Sequence, residues 1–195
     1  MGLGTWRTKR AFGMSGRGQR VIAPASFEAL SDADRNFLRS ALAEGGLQIE
    51  PNVLIEREYA IHGLIEPNAV AGRDADAGAD IESGSGSGSG SGMRVTMGEV
   101  VLQRCDAAGG WLGTEPIIIT DEEEQALERT LREEALRVAA ALRAAGYFGP
   151  FGVDAYTYRG PGGSLCLQPR GEINARFSMG WSVGFHGGHK RPRRL

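Results

Sequence analysis

The sequence predicts an α+β fold built mainly from antiparallel strands. Short segments of alternating apolar and polar residues lie on either side of glycine-rich turns, as they do in β-hairpins. One long segment, residues 121–145, instead repeats its apolar residues at helical spacing. In residues 3–68 the elements follow each other as strand, strand, helix, strand, strand, which is typical of an α+β layout.

The first part of the chain begins with a hairpin and a short helix. The glycine-rich segment Gly13–Gly18 joins the first two strands. Ser31 is expected to cap a helix that ends at Gly45-Gly46 and carries an apolar stripe of Phe37, Leu38, Ala41 and Leu42. The predicted strands of this part cover residues 5–12, 19–22, 47–50 and 59–65.

The second part contains the most sharply defined helix, residues 121–145. Thr120 and Glu123 are expected to form a capping box at its start, and Gly146 ends it. Its predicted apolar face consists of Leu127, Leu131, Val138 and Leu142. The predicted strands cover residues 94–104, 117–120, 151–159, 164–168 and 171–176, with a hairpin turn at Gly160–Gly163.

A low-complexity segment separates these two parts. Residues 83–92 alternate strictly between Ser and Gly, and residues 69–82 are rich in Asp and Ala. Such segments cannot bury apolar surface. We therefore predict four regions: a first block at 1–68, a flexible linker at 69–92, a second block at 93–186 and a basic tail at 187–195.

Composition and charge exclude several classes of protein. Hydrophobic residues make up 41% of the 195 residues and charged residues 24%, close to ordinary globular usage. The formal net charge of −2 predicts no general attraction to nucleic acid or to an anionic membrane. We find no membrane-spanning segment and no signal-peptide pattern. Cys105 and Cys166 lack metal-ligand spacing and indicate no disulfide framework. Together with the absence of a signal-peptide pattern and of a membrane-spanning segment, this predicts a reducing, cytoplasmic location.

A lysine on the first predicted strand precedes the glycine-rich segment. Glycines allow backbone N–H groups to approach phosphate oxygens closely, and Lys9 supplies a fixed positive charge. Ser15 and Arg17 are candidate additional donors. The segment is neither a Walker A loop nor a dinucleotide fingerprint, because no helix follows it directly. Two interpretations stay open at this point, a phosphate-binding loop and a simple turn.

An extended, proline-containing connection follows the strand at residues 47–50. Free backbone N–H and C=O groups in such a connection suit the edge of an adenine. Glu58, further along, is a candidate acceptor for ribose hydroxyl groups. The alternative interpretation is that Glu50 and Glu58 are two solvated glutamates beside a turn.

Acidic and amide side chains lie on the last predicted strands. Asp154 belongs to one strand, and the sequence Glu172-Ile173-Asn174-Ala175-Arg176 to a later one. Alternation predicts Glu172, Asn174 and Arg176 on one face, with Ile173 and Ala175 packed on the other. Two carboxylates and an amide oxygen are hard ligands that suit Mg²⁺, and a guanidinium suits a phosphate or acyl phosphate. The alternative is a strand with a solvent-facing polar side.

In this order, these segments resemble the ATP-grasp superfamily over most of residues 5–181. The resemblance implies a small lid lobe and a larger antiparallel-sheet lobe with ATP between them, together with two Mg²⁺ ions. The implied ATP-binding residues are Lys9, Gly13, Ser15, Gly16, Arg17, Gly18, Glu50, Asn52, Val53 and Glu58. The implied metal ligands are Asp154, Glu172 and Asn174. The implied catalytic residues are Lys9 and Arg176, with Arg176 steadying the transferred phosphoryl group.

The resemblance further implies an ATP-dependent carboxylate–amine (or thiol) ligase. Such an enzyme activates the carboxylate of a small molecule or peptide as an acyl phosphate, which an amine or similar nucleophile then attacks. Members of the family normally carry an N-terminal lobe ahead of the lysine strand, whereas here that strand starts close to Met1. Three explanations stay open: the chain is a truncated form of such an enzyme, another chain supplies the missing lobe, or the protein binds nucleotide without turnover. The alternatives are a non-catalytic nucleotide-binding module and, from another class, a protein that contacts RNA through its basic tail.

Overall fold

The computed structural model describes residues 4–14, 17–23, 28–67, 94–106 and 109–185. The predicted linker and basic tail lie outside these residues. The strands are β1 (Trp6–Met14), β2 (Arg17–Ile22), β3 (Leu47–Pro51), β4 (Leu54–Glu66), β5 (Arg94–Cys105), β6 (Trp111–Pro116), β7 (Gly149–Arg159) and β8 (Leu165–Asn174). The helices are α1 (Asp32–Ala43), α2 (Glu122–Ala144) and α3 (Trp181–Gly184). The predicted α+β class is confirmed.

The chain folds into two compact units, and each contains a sheet. The first unit holds a three-stranded sheet of order β2-β1-β3, together with α1. The second unit holds most of a five-stranded sheet of order β6-β5-β4-β7-β8, together with α2 and α3.

In the first unit, β1 pairs antiparallel with both of its neighbours. The register places Thr8 opposite Arg20 on β2 and Ile49 on β3, so these side chains share one face. The guanidinium of Arg20 lies 5.5 Å from the centroid of the Phe37 ring of α1. Helix α1 therefore covers this face, and strand alternation directs Lys9 to the opposite one.

In the second unit, α2 packs on one face of the five-stranded sheet. Its predicted apolar face is confirmed, because Leu131, Ala135, Val138 and Ala139 are buried in one core cluster with residues of the strands. The strand residues of that cluster are Tyr59, Ile61, Ile65, Val100, Phe151, Val153 and Ala155. Alternation along β4 and β7 directs His62 and Asp154 to the face away from α2.

The predicted capping box of α2 is wrong by one residue. Asp121 is the N-cap, and its carboxylate accepts a hydrogen bond from the backbone N–H of Glu124 at 2.8 Å. The Glu124 carboxylate in turn accepts from the backbone N–H of Thr120 at 2.8 Å. A charged carboxylate is a stronger acceptor at the positive end of a helix than a threonine hydroxyl, so the cap moves from Thr120 to Asp121.

The predicted strand at residues 117–120 is also wrong. The strand in this region is β6, which ends at Pro116. Ile117 packs against the core cluster without joining the sheet, whereas Ile118 is 79% exposed. Of these β-branched residues, Ile117 packs on the core without pairing with a strand, and β propensity does not separate packing from strand pairing.

The strands that end at the candidate metal residues differ from the prediction in two ways. Residues 164–168 and 171–176 belong to one strand, β8, which ends at Asn174. Ile173 is 43% exposed while Asn174 is 6% exposed, so the predicted packing of Ile173 and Ala175 is wrong. β8 is an edge strand and pairs only with β7. At the end of β8, the side that faces Asp154 is therefore buried and the opposite side is exposed.

Candidate functional site

The second unit brings the predicted metal ligands together. Asp154 lies on β7, and its Oδ2 accepts a hydrogen bond from Asn174 Nδ2 on β8 at 2.9 Å. Its Oδ1 accepts from Gln103 Nε2 on β5 at 2.8 Å. Glu172 lies close enough for its negative charge to act on Asp154. We refer to Gln103, Asp154, Glu172 and Asn174 as the carboxylate cluster.

The electrostatics of this cluster favour the arrival of positive charge. The pKa of Asp154 is raised from 3.8 to about 7, chiefly by burial and also by the nearby negative charge of Glu172. The charge of Glu58 acts in the same direction, whereas the hydrogen bonds from Gln103 and Asn174 oppose it. A bound divalent cation would reverse this balance by stabilising the ionised carboxylates.

The donor set of the cluster fits magnesium better than a softer metal. Carboxylate oxygens and the amide oxygen of Asn174 are hard donors. Asn174 turns its Nδ2 toward Asp154 in the structure, so its amide would have to rotate to bind a cation together with Asp154. Within the described ranges, no three His, Cys, Asp or Glu side chains form a metal-binding group. The carboxylate cluster would thus supply only part of a coordination shell, as is usual for Mg²⁺ shared with nucleotide phosphates and water.

Arg176, the predicted phosphoryl-binding residue, follows the end of β8. It is exposed to solvent two residues after Asn174. Its role in binding the phosphoryl group stays a prediction.

The first unit brings Lys9 and Glu50 together. Lys9 Nζ lies 2.6 Å from Glu50 Oε1, and both side chains are only 14% exposed. Gln48 Nε2 donates to the other carboxylate oxygen at 3.0 Å. A phosphate contact by Lys9, which stays a prediction, would compete with this ion pair.

The connection between β3 and β4 is fixed by the side chain of Asn52. Its Oδ1 accepts from Arg7 Nη2 at 3.1 Å, and its Nδ2 donates to Thr5 Oγ1 at 3.2 Å. Arg7 also donates to Gln19 Oε1 on β2 at 3.0 Å. The amide of Asn52 is therefore structural, and recognition of adenine near Asn52 and Val53 would depend on backbone groups.

The remaining predicted ATP-binding residues are Glu58 and those of the glycine-rich lid. Glu58 lies in the second unit, opposite Gln103 in the β4–β5 pair, whereas Glu50 to Val53 lie in the first. In the predicted lid, Ser15 and Gly16 lie outside the described residues, as does the side chain of Arg17, and only the backbone of Gly13 is described. Gly18 has a φ of 88°, a conformation that favours glycine.

Sequence analysis missed two residues that organise these sites, Gln103 and Arg7. Arg7 carried a usable signal, because it precedes Lys9 by two residues on a strand and so shares its face. Gln103 carried a weaker one, as a polar residue beside Leu102 near the end of an apolar strand. Its contact with Asp154 depends on the order of β5, β4 and β7, which local sequence does not reveal.

Comparison with solved structures identifies the fold. Biotin carboxylase from Campylobacter jejuni, in a complex with β,γ-ATP, matches 92% of the chain with a TM-score of 0.55 and 17% identity. N5-carboxyaminoimidazole synthetase from Staphylococcus aureus, in a complex with ADP, matches 92% with a TM-score of 0.51 and 14% identity. Pyruvate carboxylase from Rhizobium etli, with its allosteric activator acetyl coenzyme A, matches 92% with a TM-score of 0.52 and 18% identity.

These similarities show that the chain has the ATP-grasp fold. The chain spans 33% of the biotin carboxylase, 37% of the synthetase and 13% of the pyruvate carboxylase. The sequence matches no family model and no curated protein. In the described part of the chain, none of the helices has the length and apolarity needed to cross a membrane.

Proposed function

We propose that this chain is the nucleotide- and metal-binding part of an ATP-dependent ligase that joins a carboxylate to an amine or similar nucleophile. The observation that carries the proposal is the half-buried carboxylate of Asp154, held by Gln103 and Asn174 beside the charge of Glu172. The three solved enzymes share the fold, and two of them are complexes with an adenine nucleotide. Desolvation of Asp154 beside the charge of Glu172 disfavours its ionised carboxylate, and Mg²⁺ accompanying ATP would stabilise that ionised form.

In the proposed reaction, an oxygen of the substrate carboxylate attacks the terminal phosphorus of ATP. A new O–P bond forms while the bond from that phosphorus to the β-phosphate oxygen breaks, releasing ADP. The amine nitrogen then attacks the acyl carbon, loses a proton and displaces inorganic phosphate. Bound Mg²⁺ would offset negative charge on the phosphates.

The protein contributes positioning and charge to this reaction. Asp154, Glu172 and the amide oxygen of Asn174 would hold Mg²⁺, and Arg176 would bind the transferred phosphoryl group through its planar guanidinium. Lys9 would contact the phosphates of ATP after exchanging the Glu50 carboxylate for them. Glu58 would accept hydrogen bonds from the ribose.

The test is a calorimetric titration with a non-hydrolysable ATP analogue, with and without Mg²⁺. We expect magnesium-dependent binding that Asp154→Asn abolishes, because the substitution removes a ligand charge and leaves the shape unchanged. Glu115→Gln is a matched control, since this exposed acid lies on β6 of the same sheet. Equal binding by the parent and by Asp154→Asn would refute the metal assignment.

A second candidate is a nucleotide-binding module that performs no reaction without a partner. It is favoured by the small share of each compared enzyme that the chain spans. The two candidates differ in turnover. A ligase releases phosphate from ATP when its carboxylate and amine are supplied, whereas the module binds Mg-ATP and releases none until a partner lobe is added.

A further inference from the structure

His62 is a buried histidine on β4 that the proposed reaction does not use. Its side chain is 0% exposed, and neither ring nitrogen has a hydrogen-bond partner among the described residues. Burial lowers its pKa to about 4, so the ring is neutral at physiological pH. Unsatisfied buried polar atoms are costly, and native proteins contain few of them. Packing alone does not explain a histidine at this position.

The ring lies against the segment that follows the carboxylate cluster. A Cβ atom added to Gly180 would lie 3.0 Å from His62 Cε1, and one added to Gly184 would lie 2.9 Å from His62 Nδ1. Trp181 meets the ring edge to face, with 5.9 Å between centroids. Trp181 also contacts Phe177, at 4.9 Å between centroids. Since Phe177 directly follows Arg176, His62 supports the segment that carries Arg176.

Ser178 belongs to the same segment and is also unsatisfied. Its hydroxyl oxygen is buried without a hydrogen-bond partner in the described part of the chain. A Cβ atom added to Gly152 would lie 3.0 Å from Ser178 Oγ and 3.3 Å from His62 Cδ2. The Ser178 hydroxyl and the His62 ring therefore both lie close to Gly152 of β7, which precedes Asp154 by two residues.

The two side chains are chemically complementary. A serine hydroxyl donates a hydrogen bond, and a neutral imidazole accepts one through its unprotonated nitrogen. They do not form this bond here, but they border one glycine position, so a small movement of the segment would bring them together. The movement would also shift Arg176, which precedes Ser178 by two residues.

We propose that His62 is a positioning residue whose imidazole accepts a hydrogen bond from the Ser178 hydroxyl when Arg176 binds the terminal phosphoryl group of ATP. This inference rests on the proposed function, because it takes Arg176 as the residue that contacts that group. The bond satisfies both partners and holds the segment in its nucleotide-bound arrangement.

The experiment compares the affinity for a non-hydrolysable ATP analogue with the affinity for ADP, both with Mg²⁺, by calorimetry. The ratio of the two affinities reports contact with the terminal phosphoryl group, and Arg176→Ala provides the value without that contact. His62→Leu fills the site without a polar atom, His62→Gln retains an acceptor, and Ser178→Ala removes the donor. Ile61→Val is the control, because Ile61 is the adjacent β4 residue and packs in the α2 core.

We expect His62→Leu and Ser178→Ala to lower the ratio by about tenfold, the worth of one hydrogen bond linked to a charged contact. His62→Gln and Ile61→Val should leave it within about twofold, which is within the usual scatter of such effects. If His62 has only a structural role, we expect the reverse order: His62→Leu should leave the affinity ratio unchanged and His62→Gln should lower it. Thermal unfolding of each variant confirms that it is folded.

The failures of the inference and of the proposed function are distinguishable. If the parent prefers the ATP analogue and His62→Leu and Ser178→Ala keep that preference, the positioning role is wrong and the proposed function stands. If the parent binds neither nucleotide, the proposed function is wrong and the positioning role is wrong with it.

Discussion

At the scale of single residues, Asp154 and His62 lie on the same face of one sheet, and burial changes the protonation of both. Burial raises the pKa of Asp154 to about 7 and lowers that of His62 to about 4. In each case burial disfavours the charged form. The pH dependence of stability therefore has opposite signs for the two residues. As pH rises from about 4 to about 7, stability is lost through Asp154 and gained through His62, so the two changes partly cancel in the parent protein.

The first prediction concerns Asp154 and the pH dependence of stability. Its pKa is higher in the folded protein than in the unfolded chain, so its stabilising contribution is present below about pH 4 and is lost as pH rises to about 7. We therefore expect Asp154→Asn to be more stable than the parent at pH 8, by at most about 4 kcal/mol for a shift of this size. At pH 3.5 the two proteins should be similar.

Urea unfolding at both pH values measures this difference. Asp106→Asn is a suitable control, because Asp106 is an exposed acid next to β5. A parent that matches Asp154→Asn at pH 8 would show that the carboxyl is not destabilised in the folded state.

The second prediction concerns His62 and has the opposite sign. Its pKa is lower in the folded protein, so its contribution is present above about pH 6.5 and is lost as pH falls to about 4. His62→Leu should remove this loss, and its stability should therefore fall less than that of the parent between pH 7 and pH 4.5. Chemical unfolding across this range provides the measurement, and identical pH profiles for the two proteins would contradict it.

At the scale of secondary-structure elements, the sequence located most elements but misplaced several of their ends. Helix α2 was predicted correctly, since periodicity and an acidic first turn are local signals. Its cap was misplaced because Thr120 and Asp121 are both good N-cap residues, and the stronger acceptor, the Asp121 carboxylate, takes the position. The strand at residues 117–120 failed because apolar β-branched residues can pack on a core without pairing with a strand.

The third prediction tests the corrected cap of α2. Asp121→Ala removes the acceptor for the Glu124 N–H and should cost about 1 kcal/mol of unfolding free energy. Thr120→Ala retains its backbone contact with Glu124 and should cost less than about 0.5 kcal/mol, as surface substitutions do. Denaturant unfolding of both variants gives the comparison, and a larger loss for Thr120→Ala would restore the original prediction.

The fourth prediction concerns the face of α2 that packs on the sheet. Leu131 is 1% exposed whereas Leu136 is 39% exposed. Leu131→Ala should therefore cost about 2–5 kcal/mol, the usual range for a buried leucine. Leu136→Ala should cost no more than about 1 kcal/mol, because surface positions contribute less. Similar losses in the two variants would contradict the observed orientation of the helix.

At the scale of the whole molecule, the chain consists of two compact units with separate candidate residues. Lys9 and Glu50 belong to the first, and the carboxylate cluster belongs to the second. The proposed function assigns both groups to the same ligand, so both should affect the response of the protein to Mg-ATP.

The fifth prediction follows from this assignment. Mg-ATP at about 100 times its Kd should stabilise the parent by about 2.7 kcal/mol. Lys9→Met and Asp154→Asn should each reduce this stabilisation. Arg10→Met should not, because alternation directs Arg10 to the face where its guanidinium lies 4.9 Å from the centroid of the Phe37 ring. Thermal unfolding with and without Mg-ATP measures the effect, and a loss in Arg10→Met equal to that in Lys9→Met would argue against a specific role for Lys9.

The sequence by itself determined the α+β class, the positions of most strands and both long helices, and the identity of three of the four cluster residues. These features depend on local signals: alternation, helical spacing, caps and the side-chain chemistry of Asp154, Glu172 and Asn174. The tertiary structure decided that Gln103 holds Asp154, that Arg7 holds Asn52, and that His62, which has no hydrogen-bond partner among the described residues, lies beside Ser178. Each of these contacts joins residues far apart in the chain, so it depends on strand order and register, which local patterns do not specify.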